Sequence, residues 1–260
     1  MQRGLSRTFL ITDGKRFRRV VNVDQKDIIN LPDGRISSKK ILELTPGSSF
    51  IVNKKRYFIF PCSIYDYIMY GLERKTQIVY PKEAGYILLR LDVSPGKRVG
   101  EGGGGSGSLT SIFSRAVGKE GQVYTYEKED RFYRLIEKNL LTSAEFDNVV
   151  LKKKDMEDGI DERDLDAFFV DVKEPWRVIE RVYDALKPGG NLGILVPTAN
   201  QISHLLKKLE STNFFTIEVL EILLREYKLN PDRVRPVDRM VAHTGYLLFA
   251  RKLIPGEVKV

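Results

Sequence analysis

Between Val99 and Ser108 the chain reads VGEGGGGSGS, a run so poor in side chains that it admits two opposite readings. A flexible linker would separate two self-contained units, whereas a backbone cradle would lie between a strand and a helix of one packed sheet. The flanking residues decide. RVGEG, from Arg98 to Gly102, reads as a short strand, and SGSLTSIFSRAVG reads as a helix closed by Gly118. Gly102, Gly104 and Gly107 satisfy G-x-G-x-x-G at that junction. There, glycine lets backbone N–H groups approach a ligand that any Cβ would hold off, and the helix aims its first N–H groups at the same point. The stretch therefore predicts a ligand cradle and rejects a linker.

The chain around the cradle alternates strands with helices. After the helix AGYILLRLDV come the strands QVYTYE, NVVLKKKD, LDAFFVDV and NLGILVP, interleaved with the helices DRFYRLIEKNLL, PWRVIERVYDAL and QISHLLKKLES. Lys187-Pro188-Gly189-Gly190 reads as a stop after the helix PWRVIERVYDAL. Such alternation predicts a parallel, doubly wound sheet with helices on both faces. The end differs: FTIEVLEILLREYKL and TGYLLFARKL are two long strands with no helix between them, which predicts an antiparallel strand at one end of the sheet.

Glu127 closes the second strand, 20 residues beyond Gly107, where a carboxylate can accept both hydroxyls of a ribose. An adenosine-containing cofactor is implied. A dinucleotide oxidoreductase would need a second mononucleotide-binding half and a hydride-transfer group, and neither is found. S-adenosylmethionine fits better: an acidic residue, Glu101, precedes the glycines, and another, Asp155, follows the third strand.

The first 75 residues differ in kind. RTFLIT, FRRVVNV, IINL, SSFIV and RYFIF are short strands punctuated by Asp13-Gly14, Pro32-Asp33-Gly34 and Asn53-Lys54, which predicts a small β-barrel-like domain. SIYDYIMYGLE, with Ser63 as N-cap, reads as a connecting helix, so the boundary falls within residues 63–76: a basic domain at 1–70 and a larger α/β domain at 71–260. The net charge of +8 sits in the first part, where 15 Lys and Arg face 7 Asp and Glu; the remainder holds 28 of each. A localised basic surplus is the footprint of a polyanion-binding surface or of a solvated basic face. The single cysteine, Cys62, rules out an intramolecular disulfide. No stretch has the roughly 20 apolar residues of a membrane span, and the start lacks a signal-peptide pattern, so a cytoplasmic protein with no membrane contact is expected.

Four stretches, TQIVYPKEAGYI, VGEGGGGSGSLT, DVKEPW and RPVDRMVAHTGYL, together resemble the tRNA (adenine-N1)-methyltransferases that modify the T-loop adenine at tRNA position 58. The resemblance runs from about Thr76 to Lys252. It implies a class I, Rossmann-like sheet that uses S-adenosylmethionine, tRNA as substrate and a homotetramer. It also places Gln77, Glu101, the backbone from Gly102 through Gly103, Gly104, Gly105, Ser106, Gly107 and Ser108 to Leu109, Glu127 and Asp155 around the cofactor. Two departures stand out. The family more often carries a bulky residue at Gly100, so its absence should loosen the loop, and the family's DxPDPW appears here as Asp171-Val172-Lys173-Glu174-Pro175-Trp176.

Asp171, at the end of the fourth strand, is the expected catalytic residue. Its carboxylate can accept a hydrogen of the target's N6 amino group and favour the positive charge that moves onto the base; as a bland alternative it caps the helix that follows. Tyr80 is expected to border or stack on the flipped base, or else to sit in the core. Through the resemblance, Arg239, His243 and Thr244 line the substrate pocket, although a structural role fits the residues equally. His204 and Trp176 are read as packing residues, and Lys152 to Lys154 as a solvated strand edge. No metal is called for. Two other functions compete: methyl transfer to another acceptor such as a protein carboxylate, and a non-catalytic tRNA-binding subunit. The four acids Glu101, Glu127, Asp155 and Asp171 argue against the latter.

Overall fold

Ser63 and Asp66 form a capping box at the start of the segment that joins the two parts of the chain: the Ser63 amide donates to Asp66 Oδ2 at 3.0 Å, and the Asp66 amide donates to Ser63 Oγ at 3.1 Å. In the computed structural model, which describes residues 7–141 and 146–256, an antiparallel sheet precedes this box. Its strands are β1 (Thr8–Thr12), β2 (Arg18–Asn22), β5 (Ser49–Val52) and β6 (Lys55–Pro61), in the order β2-β1-β6-β5. β5 and β6 meet through Asn53 and Lys54, both at positive φ (45° and 70°), as a two-residue hairpin requires. A second hairpin, β3 (Ile28–Leu31) with β4 (Gly34–Ser37), adds Ile29, Leu31 and Ile36 to a core built on Phe9, Ile11, Tyr57 and Ile59. The sequence reading marks neither β4 nor the short helix α1 (Ser38–Leu42) that Ser37 caps.

The expected connecting helix begins where the cap predicts, but it makes only one α-turn, α2 (Ile64–Asp66), before widening into a π-turn over Tyr67–Gly71. Gly71 lets this turn close on β2, since a Cβ there would lie 3.1 Å from Val20. Ile68 and Leu72 point into the core of the larger part.

That part is a seven-stranded sheet with the order β12-β15-β11-β10-β7-β8-β9. Here β7 is Arg98–Gly102, β8 Gln122–Tyr126, β9 Val149–Lys152, β10 Leu165–Val170, β11 Leu186–Val196, β12 Phe214–Leu220 and β15 Tyr246–Lys252. β7 to β11 run parallel, and β15 is antiparallel to both its neighbours, as the terminal strand pair predicts. Helices cover both faces, and the period of two along β10 shows how. Ala167 and Phe169 pack with α3 (Pro81–Arg90) and α4 (Ser108–Val117), whereas Phe168 and Val170 pack with α6 (Ile179–Ala185) and α7 (Ala199–Leu209). α5 (Asp130–Ile136) continues into a second π-turn, Glu137–Leu141.

Two expectations need correction. α6 does end just before Lys187-Pro188-Gly189-Gly190, but the strand does not wait for Asn191: β11 starts at Leu186, pairs it with Leu165, and resumes at Asn191 opposite Ala167, the surplus residues being absorbed in a register shift. FTIEVLEILLREYKL is not one strand either. β12 ends at Leu220, and a separate small ladder forms between β13 (Tyr227–Lys228) and β14 (Arg235–Pro236).

The two parts are tied through Asn139 in the second π-turn. Its amide nitrogen donates to the carbonyls of Glu73 (3.0 Å) and Ser106 (2.9 Å), its amide oxygen accepts from Glu73 N (3.3 Å), and its carbonyl accepts the Tyr67 hydroxyl.

Candidate active site

The glycine run turns from β7 into α4 against the end of β10. Gly103 adopts φ 85°, and a Cβ there would lie 2.0 Å from the Asp171 carbonyl oxygen, so only glycine lets the two strand ends meet backbone to backbone. The Asp171 amide donates to Gly102 O at 2.8 Å and locks that contact. Gly107, at φ 78°, stands at the N-cap of α4. Gly105 also takes a positive φ, 57°, whereas Gly100, Gly102 and Gly104 are explained by packing. Cβ atoms at Gly100, Gly102 and Gly104 would meet Phe168 (2.3 Å), Met156 (2.1 Å) and Thr125 (2.6 Å). The loosening expected at Gly100 is thus absent, because the Phe168 ring fills the space that a bulkier residue would take.

In front of the loop lies a cavity of about 670 Å³, within the range of small-molecule sites. Gln77, Tyr80, Gly103, Gly105, Glu127, Asp155, Asp171 and Thr244 line it. Gly102, Gly104 and Gly107 do not line it. Ser106 and Ser108 turn toward protein, the first bonding Thr76 Oγ1 (2.9 Å) and the second the Val79 carbonyl (3.5 Å), and Leu109 is in the core.

The acids hold distinct positions. Glu127 lines the cavity while its Oε2 accepts the Gly105 amide (3.1 Å) and its Oε1 the Glu129 amide (2.9 Å). Asp155 accepts the Glu157 amide (3.0 Å) and pairs with Lys128 (2.9 Å), which fixes its carboxylate at the end of β9. Glu101 is buried behind the loop and does not line the cavity. Its Oε2 accepts from Thr110 (2.6 Å) and Thr125 (2.8 Å), and desolvation, opposed by those two hydroxyls, pushes its pKa up to about 7. Asp171 is pushed up to about 7 as well, by desolvation first and then by the charge of Glu127. No group among the described residues hydrogen-bonds its carboxylate, and α6 has no side-chain cap, so Asp171 does not act as a helix cap.

On the other side of Asp171 the wall is built from α3, β11 and the approach to β15. Tyr80 is the N-cap of α3, with Pro81 at N1, and its hydroxyl accepts from Gln77 Nε2 (3.1 Å). His243 does not line the cavity. Its ring nitrogens meet Glu221 Oε1 (2.6 Å) and the Pro197 carbonyl (2.8 Å), two acceptors that favour the doubly protonated ring and raise its pKa, the carbonyl most. His243 therefore pins Pro197, which does line the cavity. Arg239 is exposed and lies outside the cavity lining. His204 meets Trp176 edge to face (5.2 Å), and Lys152 to Lys154 pair with Asp161, Glu162 and Asp130, in keeping with packing and edge roles. Sequence reasoning misses Thr76, Glu83, Lys128 and Pro197 as lining residues.

These residues fit S-adenosylmethionine: a backbone cradle that a Cβ would fill, a carboxylate at the end of β8 and another at the end of β9. Comparison with known proteins agrees. A family model described as "tRNA methyltransferase complex GCD14 subunit" matches residues 67–234. The chain is 34% identical over 216 residues, 73% of this chain and 76% of the relative, to the tRNA (adenine(57)-N(1)/adenine(58)-N(1))-methyltransferase of Methanocaldococcus jannaschii. Among solved structures, it resembles a SAM-dependent O-methyltransferase of Thermotoga maritima (39% identity, TM-score 0.88, covering 99% of this chain and 96% of that one). It also resembles the tRNA (m1A58) methyltransferase TrmI of Aquifex aeolicus (36%, TM-score 0.80, 95% and 97%). The chain therefore belongs to the GCD14 tRNA methyltransferase family, on a class I, Rossmann-like sheet dependent on S-adenosylmethionine.

Proposed function

We propose that this chain methylates N1 of the adenine at position 58 of the tRNA T-loop. The observation that carries the reading is Asp171, an unpaired carboxylate set between the cofactor-side acids Glu127 and Asp155 and the wall of Tyr80 and Thr244. When bound, S-adenosylmethionine supplies a methyl group on a positively charged sulfur. Adenine N1 carries a free lone pair at neutral pH, so no strong base is required of the protein. Asp171 accepts from the target's amino group and stabilises the charge that arrives on the ring. Tyr80 borders the base, and Gln77 holds the Tyr80 hydroxyl.

The target must leave its stack, at a cost of a few kcal/mol, which phosphate contacts by the basic first part offset. Lys39 and Lys40, exposed on α1 and in no ion pair among the described residues, suit that task. A homotetramer is supported by the exposed apolar side chains on and beyond the edge strand β12, among them Phe215 (63% exposed) and Leu229 (97%). We place the protein in the cytoplasm; no described helix is long and apolar enough to cross a membrane.

The name of the Thermotoga relative favours a second reading, methyl transfer to oxygen, for instance a protein carboxylate. Incubation with methyl-labelled S-adenosylmethionine and unmodified tRNA separates the two. Label mapping to N1 of adenine 58 is expected, label only in base-labile protein ester supports the second reading, and no label in RNA overturns the first.

A further inference from the structure

Among the described residues, the one buried side-chain oxygen or nitrogen with no hydrogen-bond partner is Oε2 of Glu83. Glu83 is 2% exposed, sits in the first turn of α3 and belongs to the cavity lining. Its other oxygen is fully engaged. Oε1 accepts from both the Lys82 ammonium and the Thr244 hydroxyl. Lys82 Nζ also donates to the Ile222 carbonyl (2.6 Å) and to Thr244 Oγ1 (2.7 Å), which uses all three of its protons. The single Thr244 proton is committed to Oε1. Neither neighbour can turn to Oε2 without giving up a bond, and a buried oxygen left without a donor is costly.

Strand order says which ligand lies near. Along the carboxyl edge the cavity residues follow β9 (Asp155), β8 (Glu127), β7 (Gly103), β10 (Asp171), β11 (Pro197) and the approach to β15 (Thr244). With neighbouring strands about 4.8 Å apart, Thr244 and the Glu83 bonded to it lie some two strands, about 10 Å, from Asp171 on the side away from Glu127. That end is left to the methyl acceptor once the adenosine of the cofactor occupies the β8–β9 end.

We propose that Glu83 is a specificity-determining contact for the target nucleoside, its Oε2 accepting a hydrogen bond from a ribose hydroxyl of the flipped adenosine, with Lys82 and Thr244 as the residues that position it. This rests on the reading of the chain as an adenine-N1 methyltransferase. The donor is the ribose 2′-hydroxyl, since the exocyclic amine is given to Asp171 some two strands away.

Glu83→Gln tests it. The amide oxygen keeps the bonds from Lys82 and Thr244, so the NH₂ is forced into the place of Oε2, where a donor then faces a donor. We expect kcat/KM for tRNA to fall about ten- to hundred-fold and the Kd for S-adenosylmethionine to stay within about twofold, while the Tm falls because the buried Lys82 ammonium loses its counter-charge. The ratio of wild type to variant should collapse toward unity on tRNA carrying 2′-deoxyadenosine at the target. The proposal is overturned if the variant matches wild type on tRNA, if cofactor affinity falls in step with activity, or if the ratio survives on the 2′-deoxyadenosine tRNA. Failure of the underlying reading shows separately, as wild-type protein that methylates no tRNA.

Discussion

Glu127 Oε2 accepts the Gly105 amide at 3.1 Å, so a single carboxylate both tethers the middle of the glycine loop to the end of β8 and lines the cavity. Replacement by alanine removes the tether together with the carboxylate we propose as the ribose acceptor. Glu127→Ala should raise the Kd for S-adenosylmethionine about 10- to 1000-fold, the range for one or two charge-assisted hydrogen bonds. Titration calorimetry checks this, and a Kd within about threefold of the parent would contradict it.

Asp171 supplies a pH dependence. Only the ionised carboxylate favours positive charge on the base, and desolvation with the Glu127 charge places its pKa at about 7. Activity should therefore be lost as pH falls through about 7, nearly tenfold per unit in kcat/KM. A bound cation stabilises the ionised form, so the limb in kcat should lie at lower pH than the limb in kcat/KM. Asp171→Asn should remove the limb and lower kcat about 10²- to 10³-fold while leaving cofactor Kd nearly unchanged. Persistence of the limb in the variant would assign it to another group.

Glu101 carries the same shift into stability. Its pKa in the folded protein, about 7, lies above the ordinary carboxylate value, so the folded state holds the proton more tightly than the unfolded state. That contribution is full in acid and is lost as pH rises toward 7. Glu101→Gln retains an acceptor for Thr110 and Thr125 without the charge. Relative to the parent it should gain stability between pH 5 and pH 8, by up to about 3 kcal/mol, in urea melts at the two values. A stability difference independent of pH would disprove the assignment.

The basic first part is tested best by charge removal within an intact chain. Replacing Lys39 and Lys40 by alanine should weaken tRNA binding and reduce the slope of log K against log salt by about 1 per lysine that meets a phosphate. An unchanged slope would place the RNA on another surface.

Much of the sheet was legible because each strand and helix carries its own apolar period, and because glycines at a strand-to-helix junction have few other uses. What stayed hidden depends on tertiary fit. YIMYG and EKNLL have helical periodicity, yet both widen into π-turns that let Gly71 meet Val20 and Asn139 reach Ser106. Gly189 and its neighbours do follow the end of α6, but local propensity does not report that β11 has already begun at Leu186 and that both ends of the insertion stay paired to β10. Of the glycine run, the pattern identified the loop but not which residues face the ligand: Glu101, Ser106 and Ser108 point into protein. Glu83 carries its own signal in the sequence. It shares the 83, 87, 91 stripe with Ile87 and Leu91, and a carboxylate on the buried face of a helix needs a reason.

Asn139 has a consequence for anyone who would treat the two parts of this chain as interchangeable modules. Its side chain is bonded at once to the backbone of Glu73, in the connector, and to the backbone of Ser106, in the glycine loop. A cut before Thr76, or a graft of the α/β part onto another leader, would leave Asn139 with half its partners and the loop with a slack anchor. Recombination between relatives should therefore succeed when the crossover keeps Glu73 through Ser106 and Asn139 from one parent, and give folded but feeble enzymes when it does not.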